Sequence, residues 1–154
     1  MKLVRDEGFG TCQEDSPGLV GNLLTQCAGP PISDSQVFYR LVRDAFQELD
    51  REHFVIVGLN AKHQIIGGSV VAIGSLTTAI VHPREIFKTA ITMNAAALIL
   101  LHNHPGGDPT PSPEDHALTK RLTDCGELLG VRVLDHLILG NDRYYSFADQ
   151  GVLS

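Results

Sequence analysis

The sequence predicts a mixed α/β domain in which a central sheet is flanked by helices. Two kinds of apolar pattern lead to this prediction, because amphipathic stretches with helical spacing alternate along the chain with short β-branched runs typical of strands. The chain has 154 residues, 43% of them apolar, which is enough for one domain with a sizeable core. We find no internal repeat or low-complexity tract, so we expect a single layered domain.

The first half of the chain predicts an irregular start, a helix and a hairpin. Residues 1–32 are rich in Gly, Pro and polar groups without a sustained period, so the domain is expected to occupy 33–154. A helix is predicted next, because polar residues that could cap it precede apolar residues at helical spacing. It is expected to end near Asp50. The runs 54–59 and 64–73 predict the two strands of a hairpin, since a short polar segment separates them. A third strand is predicted next, over residues 76–81.

The second half predicts two helices and three strands. A proline opens the helix predicted at 83–94. The continuous apolar run 95–101 is short enough for a strand buried on both faces. A loop rich in Gly and Pro leads to a helix over 112–130, which Ser, Pro and acidic residues open and Gly ends. Strands at 131–139 and 143–147 complete the predicted domain.

Charge and composition limit the partners. The formal net charge is −6, and the basic residues are scattered, whereas nucleic-acid binding relies on clustered Lys and Arg, so nucleic acid is not supported as a partner. The longest apolar stretch is far shorter than the roughly 20 residues that a membrane helix requires. The first 20 residues lack the apolar core of a secretory signal, so we expect a cytoplasmic protein without membrane contact. The three cysteines form no CxxC pair and are expected to be reduced.

Two histidines directly follow the predicted buried strand. Because successive strand side chains point to opposite faces, His102 and His104 project from the same face and can bind one metal ion. Asp115 falls at the third position of the next helix, where its carboxylate can point toward them. Two histidines and one carboxylate leave the fourth position of tetrahedral zinc open for water, which is typical of catalytic zinc.

These residues also have purely structural interpretations. A pair of histidines two residues apart is by itself a weak indication of metal binding. Ser112, with Pro113 and Asp115 behind it, fits a helix cap, and Asp115 fits the reciprocal partner in that cap. A capped helix start is also a rigid platform for a ligand, so the structural and functional interpretations are compatible.

The spacing of His102, His104, Ser112 and Asp115, written HxHx₇SxxD, resembles the signature of the JAMM or MPN-type zinc metallopeptidase superfamily. Four short segments, 83–87, 102–105, 108–112 and 135–136, are similar to the corresponding motifs of its RadC branch. The resemblance extends from about Ser33 to the C-terminus. It departs from the RadC pattern at Gly106, where serine is usual.

The resemblance implies three layers of the cytidine-deaminase-like kind, with a mixed sheet between helices. It also implies one Zn²⁺ per chain, held by His102, His104 and Asp115, and a serine, Ser112, that hydrogen-bonds the attacking water or the oxyanion. The implied reaction is hydrolysis of a peptide or isopeptide bond, with the substrate unidentified.

The superfamily also needs a glutamate from the start of an early strand. Glu52 fits that place, and Glu85 is the alternative, although its position in the first turn of a helix favours a capping or salt-bridge role. Of the other histidines, His116 is expected at the surface. His136 lies in an apolar strand and is expected to be a core residue or a partner of a zinc ligand.

The alternative function is an accessory role in DNA repair or recombination without catalysis, with which RadC-like proteins are associated. Members of this branch commonly carry an N-terminal helix-hairpin-helix region, and a chain of this length is expected to lack it. A third alternative is a metal-binding interaction module without hydrolysis, which the complete ligand set disfavours. A nucleobase deaminase function is disfavoured because the H-x-E and P-C-x-x-C motifs of such enzymes are absent from the sequence. An uncovered edge strand in so small a sheet would favour a homodimer.

Overall fold

The computed structural model describes residues 27–74 and 81–153, together with Gly21. Most of the predicted irregular segment and nearly all of the strand predicted at 76–81 lie outside the described residues. In chain order the described elements are α1 (Ser35–Phe46), β1 (His53–Leu59), β2 (Ile65–Ile73), α2 (Pro83–Thr92), β3 (Ala97–Asn103), α3 (Pro113–Leu129), β4 (Arg132–Leu139) and β5 (Tyr144–Ser146).

The five described strands form one mixed sheet in the order β2-β1-β3-β4-β5. β1 is antiparallel to both β2 and β3, β3 is parallel to β4, and β4 is antiparallel to β5. Parallel neighbours need a crossover connection, and α3 supplies it between β3 and β4. The mixed sheet and the predicted hairpin are therefore confirmed.

Helices cover both faces of the sheet. On one face, α1 packs against alternate residues of β1 and β3, among them Val55 and Ile99. On the other face, α2 and α3 pack against the intervening residues, such as Ile56 and Leu100. Every residue of β1 and β3 is buried, as expected for strands covered on both sides. The three-layer arrangement is confirmed, and α3 lies over the face that carries the even-numbered residues of β3.

The first helix ends earlier than predicted. Asp34 caps α1, its Oδ1 accepting a hydrogen bond of 2.8 Å from the Val37 N–H, but the helix stops at Phe46 rather than near Asp50. Leu49 packs against the core from a turn in which its N–H donates to the Phe46 carbonyl. The apolar spacing therefore continues past the last helical residue.

The central strand lies two residues later than its predicted range, 95–101. Asn94 takes a positive φ of 57°, and Ala95 donates its N–H back to the last turns of α2, so neither joins the strand. At the other end, β1 and β4 flank β3 on both sides. His102 pairs with β1, and both His102 and Asn103 pair with β4. The first histidine of the pair consequently lies inside the sheet, with 1% of its surface exposed.

Two further features bear on the sequence predictions. Among the described residues Cys27 and Cys125 are free cysteines, and Cys12 lies outside them. Among the described helices, none combines the length and apolar character needed to cross a membrane.

Gly126 provides a test of how closely α3 approaches the start of β4. An added Cβ would collide with the Val131 carbonyl oxygen, so we expect Gly126→Ala to lower the free energy of unfolding by about 1–3 kcal/mol. The loss should appear although alanine favours a helix over glycine. Urea unfolding followed by circular dichroism measures it. Gly106→Ala, where an added Cβ meets open space, is the control, and equal midpoints for the two variants would contradict the packing described.

Candidate metal centre

Three side chains converge where β3 leaves the sheet. His102 lies near the end of β3, and His104 follows the strand, its N–H donating to the Leu139 carbonyl at 2.8 Å. Asp115 is the third residue of α3, the helix that covers this face. The two histidines project from the same face, as predicted, and the helix start brings the carboxylate to them.

The spacing of the three side chains suits a tetrahedral metal ion. His102 Nε2 and His104 Nε2 are 3.0 Å apart, and each lies 3.4 Å from an oxygen of Asp115. One ligand atom from each residue falls within 4.8 Å of the others. Zinc bonds of about 2.1 Å in tetrahedral geometry place neighbouring ligand atoms about 3.4 Å apart. The residues present therefore fit Zn²⁺ by type and by spacing.

The Nδ1 atoms of His102 and His104 form hydrogen bonds with groups outside the cluster. His104 Nδ1 lies 2.8 Å from the Asp108 carbonyl, which can only accept, so this nitrogen carries a proton. A neutral His104 consequently presents the Nε2 lone pair to the cluster. His102 Nδ1 lies 2.8 Å from His136 Nε2, which leaves its Nε2 toward Asp115. Nitrogen and carboxylate acceptors thus converge on one point, which favours a cation there.

The electrostatics of the cluster also favour positive charge. Burial lowers the pKa of His102 to about 4. Burial alone would raise the pKa of Asp115, but its hydrogen bond with His104 and the donors of Ser112 lower it below its usual value. The hydrogen bond with Asp115 raises the pKa of His104. Asp115 is therefore an ionised carboxylate beside two imidazoles.

Ser112 caps α3 and orients Asp115. The Asp115 N–H donates to Ser112 Oγ at 3.1 Å, and the Ser112 N–H donates to Asp115 Oδ2 at 2.8 Å. This is the predicted capping box, and it holds the carboxylate that faces the histidines. Ser112 Oγ accepts in this pair, and its own O–H donates to the Asp115 carboxylate, which helps to lower the pKa of that group. The predicted cap is therefore confirmed, and it places the Asp115 carboxylate against the two histidines.

Glu52 lies next to the cluster. It immediately precedes β1, which pairs Phe54 with His102, so the antiparallel register carries Glu52 toward His104. After the larger effects of Asp115, the charge of Glu52 also raises the pKa of His104. Glu52 lines a cleft of about 370 Å³ together with Asp50, Arg51, Gly74 and Pro105.

Glu85 has a different environment. It lies exposed in the first turn of α2, where its N–H donates to the His82 carbonyl and its carboxylate is 4.0 Å from Arg84. These contacts match the salt-bridge role that the sequence favoured for it.

His136 and His116, the two further histidines that the sequence analysis assigned, also occupy the places it indicated. His136 is fully buried between the rings of Phe54 and Phe147, and burial lowers its pKa well below the usual value. Its contact with His102 makes it a partner of a candidate ligand rather than only a core residue. His116 is exposed at the surface, with an edge contact to Phe147.

Sequence reasoning missed two polar residues at this centre. Asn103 Oδ1 accepts the His53 N–H at 2.7 Å, and its Nδ2 donates to the Arg51 carbonyl at 3.0 Å, so one side chain holds both peptide groups beside Glu52. Thr119 Oγ1 lies 2.6 Å from both His136 Nδ1 and the Asp115 carbonyl. Thr119 could have been identified from the sequence, because it lies four residues after Asp115 and therefore on the same face of the helix. Nothing local marked Asn103.

Known proteins resemble this chain over most of its length. A family model for the RadC-like JAB domain matches residues 32–152. A UPF0758 protein of Desulfitobacterium hafniense (strain DSM 10664 / DCB-2) is 51% identical over 124 residues, which cover 80% of this chain and 55% of the relative. UPF0758 proteins of Desulforamulus reducens and Bacillus cereus (strain B4264) are 50% and 54% identical over 113 and 103 residues, or 73% and 67% of this chain. The chain spans about half the length of these curated relatives.

The Asn103 contacts yield a prediction about the segment that carries Glu52. Asn103→Ala leaves the His53 N–H without its acceptor, so we expect a loss of about 1–3 kcal/mol in unfolding free energy and faster amide exchange at His53. Hydrogen exchange followed by NMR measures the second effect.

Asn60→Ala is the matched control for this variant. Asn60 Oδ1 also accepts two backbone N–H groups, those of Lys62 and Gln64, but in the β1–β2 turn. Asn60→Ala should lower the free energy of unfolding without selectively speeding amide exchange at His53. A His53 amide that exchanges in Asn103→Ala as slowly as in the wild type would show that Asn103 does not hold this segment.

Proposed function

The chain belongs to the RadC-like JAB domain family, and on that basis we propose that it is a zinc-dependent hydrolase of peptide or isopeptide bonds. One observation carries the proposal: His102, His104 and Asp115 converge with the spacing of tetrahedral zinc ligands, beside a cleft lined by a carboxylate. A structural zinc site would use four protein ligands, whereas this cluster supplies three and leaves one position for water or substrate.

The three converging residues would hold the metal. Asp115 contributes an ionised carboxylate that the capping box already orients, and each histidine contributes Nε2. Zinc bound by such ligands lowers the pKa of a coordinated water toward neutrality and polarises a carbonyl group.

Glu52 is proposed as the general base. Its carboxylate lines the cleft and acts electrostatically on His104. It would accept a proton from the attacking water as the water oxygen bonds to the substrate carbonyl carbon. It would then give that proton to the amide nitrogen as the C–N bond breaks, releasing an acid and an amine.

Ser112 is proposed to stabilise the charge that develops on the carbonyl oxygen. Its Oγ accepts the Asp115 N–H, and its proton, which the Asp115 carboxylate accepts, would turn to that oxygen when substrate is bound. The capped helix start holds the hydroxyl in place before the substrate arrives. Losing one such donor typically costs on the order of 10²-fold in rate.

The substrate in this proposal is a polypeptide amide that reaches the centre through the cleft at Glu52 and Pro105. Cytoplasmic location and assembly into a homodimer are part of the same proposal.

The proposed zinc site leads to a prediction about metal content. Protein reconstituted with zinc and desalted should retain about one zinc per chain. His104→Ala and Asp115→Ala each remove a proposed zinc ligand. They should weaken zinc binding by more than the 10- to 100-fold that is typical when a hydrogen-bond partner of a ligand is lost. Elemental analysis with chelator competition measures both.

His116→Gln is the matched control for metal content. It changes an exposed histidine next to Asp115 in the same helix and should leave the zinc content unchanged. If the folded wild-type protein takes up no zinc on reconstitution, the proposed hydrolase function is wrong.

The proposed roles of Glu52 and Ser112 lead to a prediction about hydrolysis. On a peptide or isopeptide substrate found by screening the zinc-loaded protein, Glu52→Gln should abolish turnover while keeping its zinc. Ser112→Ala should lower kcat by about 100-fold, and it should also lose about 1 kcal/mol of stability with its cap. Initial rates and unfolding curves measure these effects.

Glu85→Gln serves as the control for Glu52 and should retain the wild-type rate. Comparable rates for Glu52→Gln and the wild type would refute the assignment of the base. A loss of rate in Glu85→Gln with Glu52→Gln unaffected would transfer that role to Glu85.

A further inference from the structure

We propose that Thr119 and His136 are positioning residues that fix where the proton sits on His102, so that His102 Nε2 keeps its lone pair for a metal. The proton arrangement is a property of the hydrogen-bonded chain itself. Its consequence for metal binding rests on the proposed function. Both residues lie behind the cluster and touch no substrate position, since His136 is 0% and Thr119 1% exposed.

The direction of the chain is set at a backbone carbonyl. Thr119 Oγ1 lies 2.6 Å from the Asp115 carbonyl oxygen, which can only accept, so the threonine hydroxyl donates its single proton there. The same oxygen lies 2.6 Å from His136 Nδ1. With its proton already committed, Thr119 must accept in this second bond, and His136 Nδ1 must carry a hydrogen.

The next bond follows from the neutral state of His136. Its two nitrogens contact a hydroxyl and another imidazole, and its ring packs against Phe54 and Phe147. An imidazolium there would be charged and desolvated without a carboxylate on either nitrogen, which disfavours it. A neutral ring with a proton on Nδ1 presents a lone pair at Nε2.

His102 must therefore donate. The distance between His136 Nε2 and His102 Nδ1 is 2.8 Å, which requires one proton between them, and only His102 can provide it. A neutral His102 that is protonated at Nδ1 keeps its Nε2 lone pair, which accepts a proton from His104 Nε2 at 3.0 Å in the metal-free protein and would bind the metal in its place. The chain thus selects the tautomer that can bind a metal.

The chain also connects two candidate ligands from different elements. It starts at the Asp115 backbone on α3, passes through His136 on β4, and ends at His102 on β3. Without the Thr119 hydroxyl, His136 could instead carry its proton on Nε2 and donate to His102. His102 would then be protonated at Nε2, where the metal must bind. Outer partners of this kind typically contribute 10- to 100-fold in metal affinity.

Thr119→Val tests the proposal, because valine keeps the shape of threonine and removes the hydroxyl. We expect a 10- to 100-fold weaker zinc affinity, measured by chelator competition, and near wild-type affinity in Thr119→Ser. Thr123→Val is the matched control. Its hydroxyl makes the same bond to the carbonyl four residues earlier, that of Thr119, at 2.8 Å, so its loss should leave zinc affinity unchanged.

A second measurement does not need zinc. Long-range ¹H–¹⁵N NMR spectra of the metal-free protein with ¹⁵N-labelled histidine should show His136 and His102 protonated at Nδ1, and Thr119→Val should show a mixture of tautomers. A wild-type His136 protonated at Nε2 would overturn the proposal, as would a folded Thr119→Val with unchanged tautomers and zinc affinity. If the wild type binds no zinc, the proposed hydrolase fails, and the NMR spectra alone decide on the chain.

Discussion

The pairing of β3 with a neighbour on each side is the constraint on which the rest of this structure depends. β1 pairs antiparallel on one side and carries the Glu52 segment to the end of β3. β4 pairs parallel on the other side and places His136 beside His102. A parallel pair needs a crossover, and the crossover helix α3 brings Asp115 and Thr119 over the same face. Polar groups from β1, β3, β4 and α3 therefore meet at the end of the central strand.

Asp115 illustrates how local and global demands meet at one residue. A helix start leaves backbone N–H groups without intrahelical partners, and the capping box satisfies two of them with Ser112 and Asp115. The same carboxylate is buried against two imidazoles, which would be unfavourable without compensating donors. The cap supplies such donors, so its geometry also maintains the charge that a metal site requires.

Burial of so many polar groups at the edge of an apolar core requires each to be paired. Among the described side chains, every buried nitrogen and oxygen has a hydrogen-bond partner. The pairs form chains rather than isolated contacts: Thr119 to His136 to His102 on one side of the cluster, and Asn103 to the peptides beside Glu52 on the other. Such chains hold side chains in one arrangement, which is the preorganisation that a metal centre uses.

The sequence by itself determined the elements and the candidate ligands, because these depend on local patterns. Strand alternation put His102 and His104 on one face, and the cap at Ser112 placed Asp115 in the first turn of α3. Only the tertiary structure decided that Glu52 rather than Glu85 lines the cleft, that β3 extends to Asn103, and that Thr119 and His136 stand behind His102. The sequence offered Glu52 and His136 as candidates, but which residues meet depends on register and crossover packing between segments many residues apart, and local patterns do not determine these.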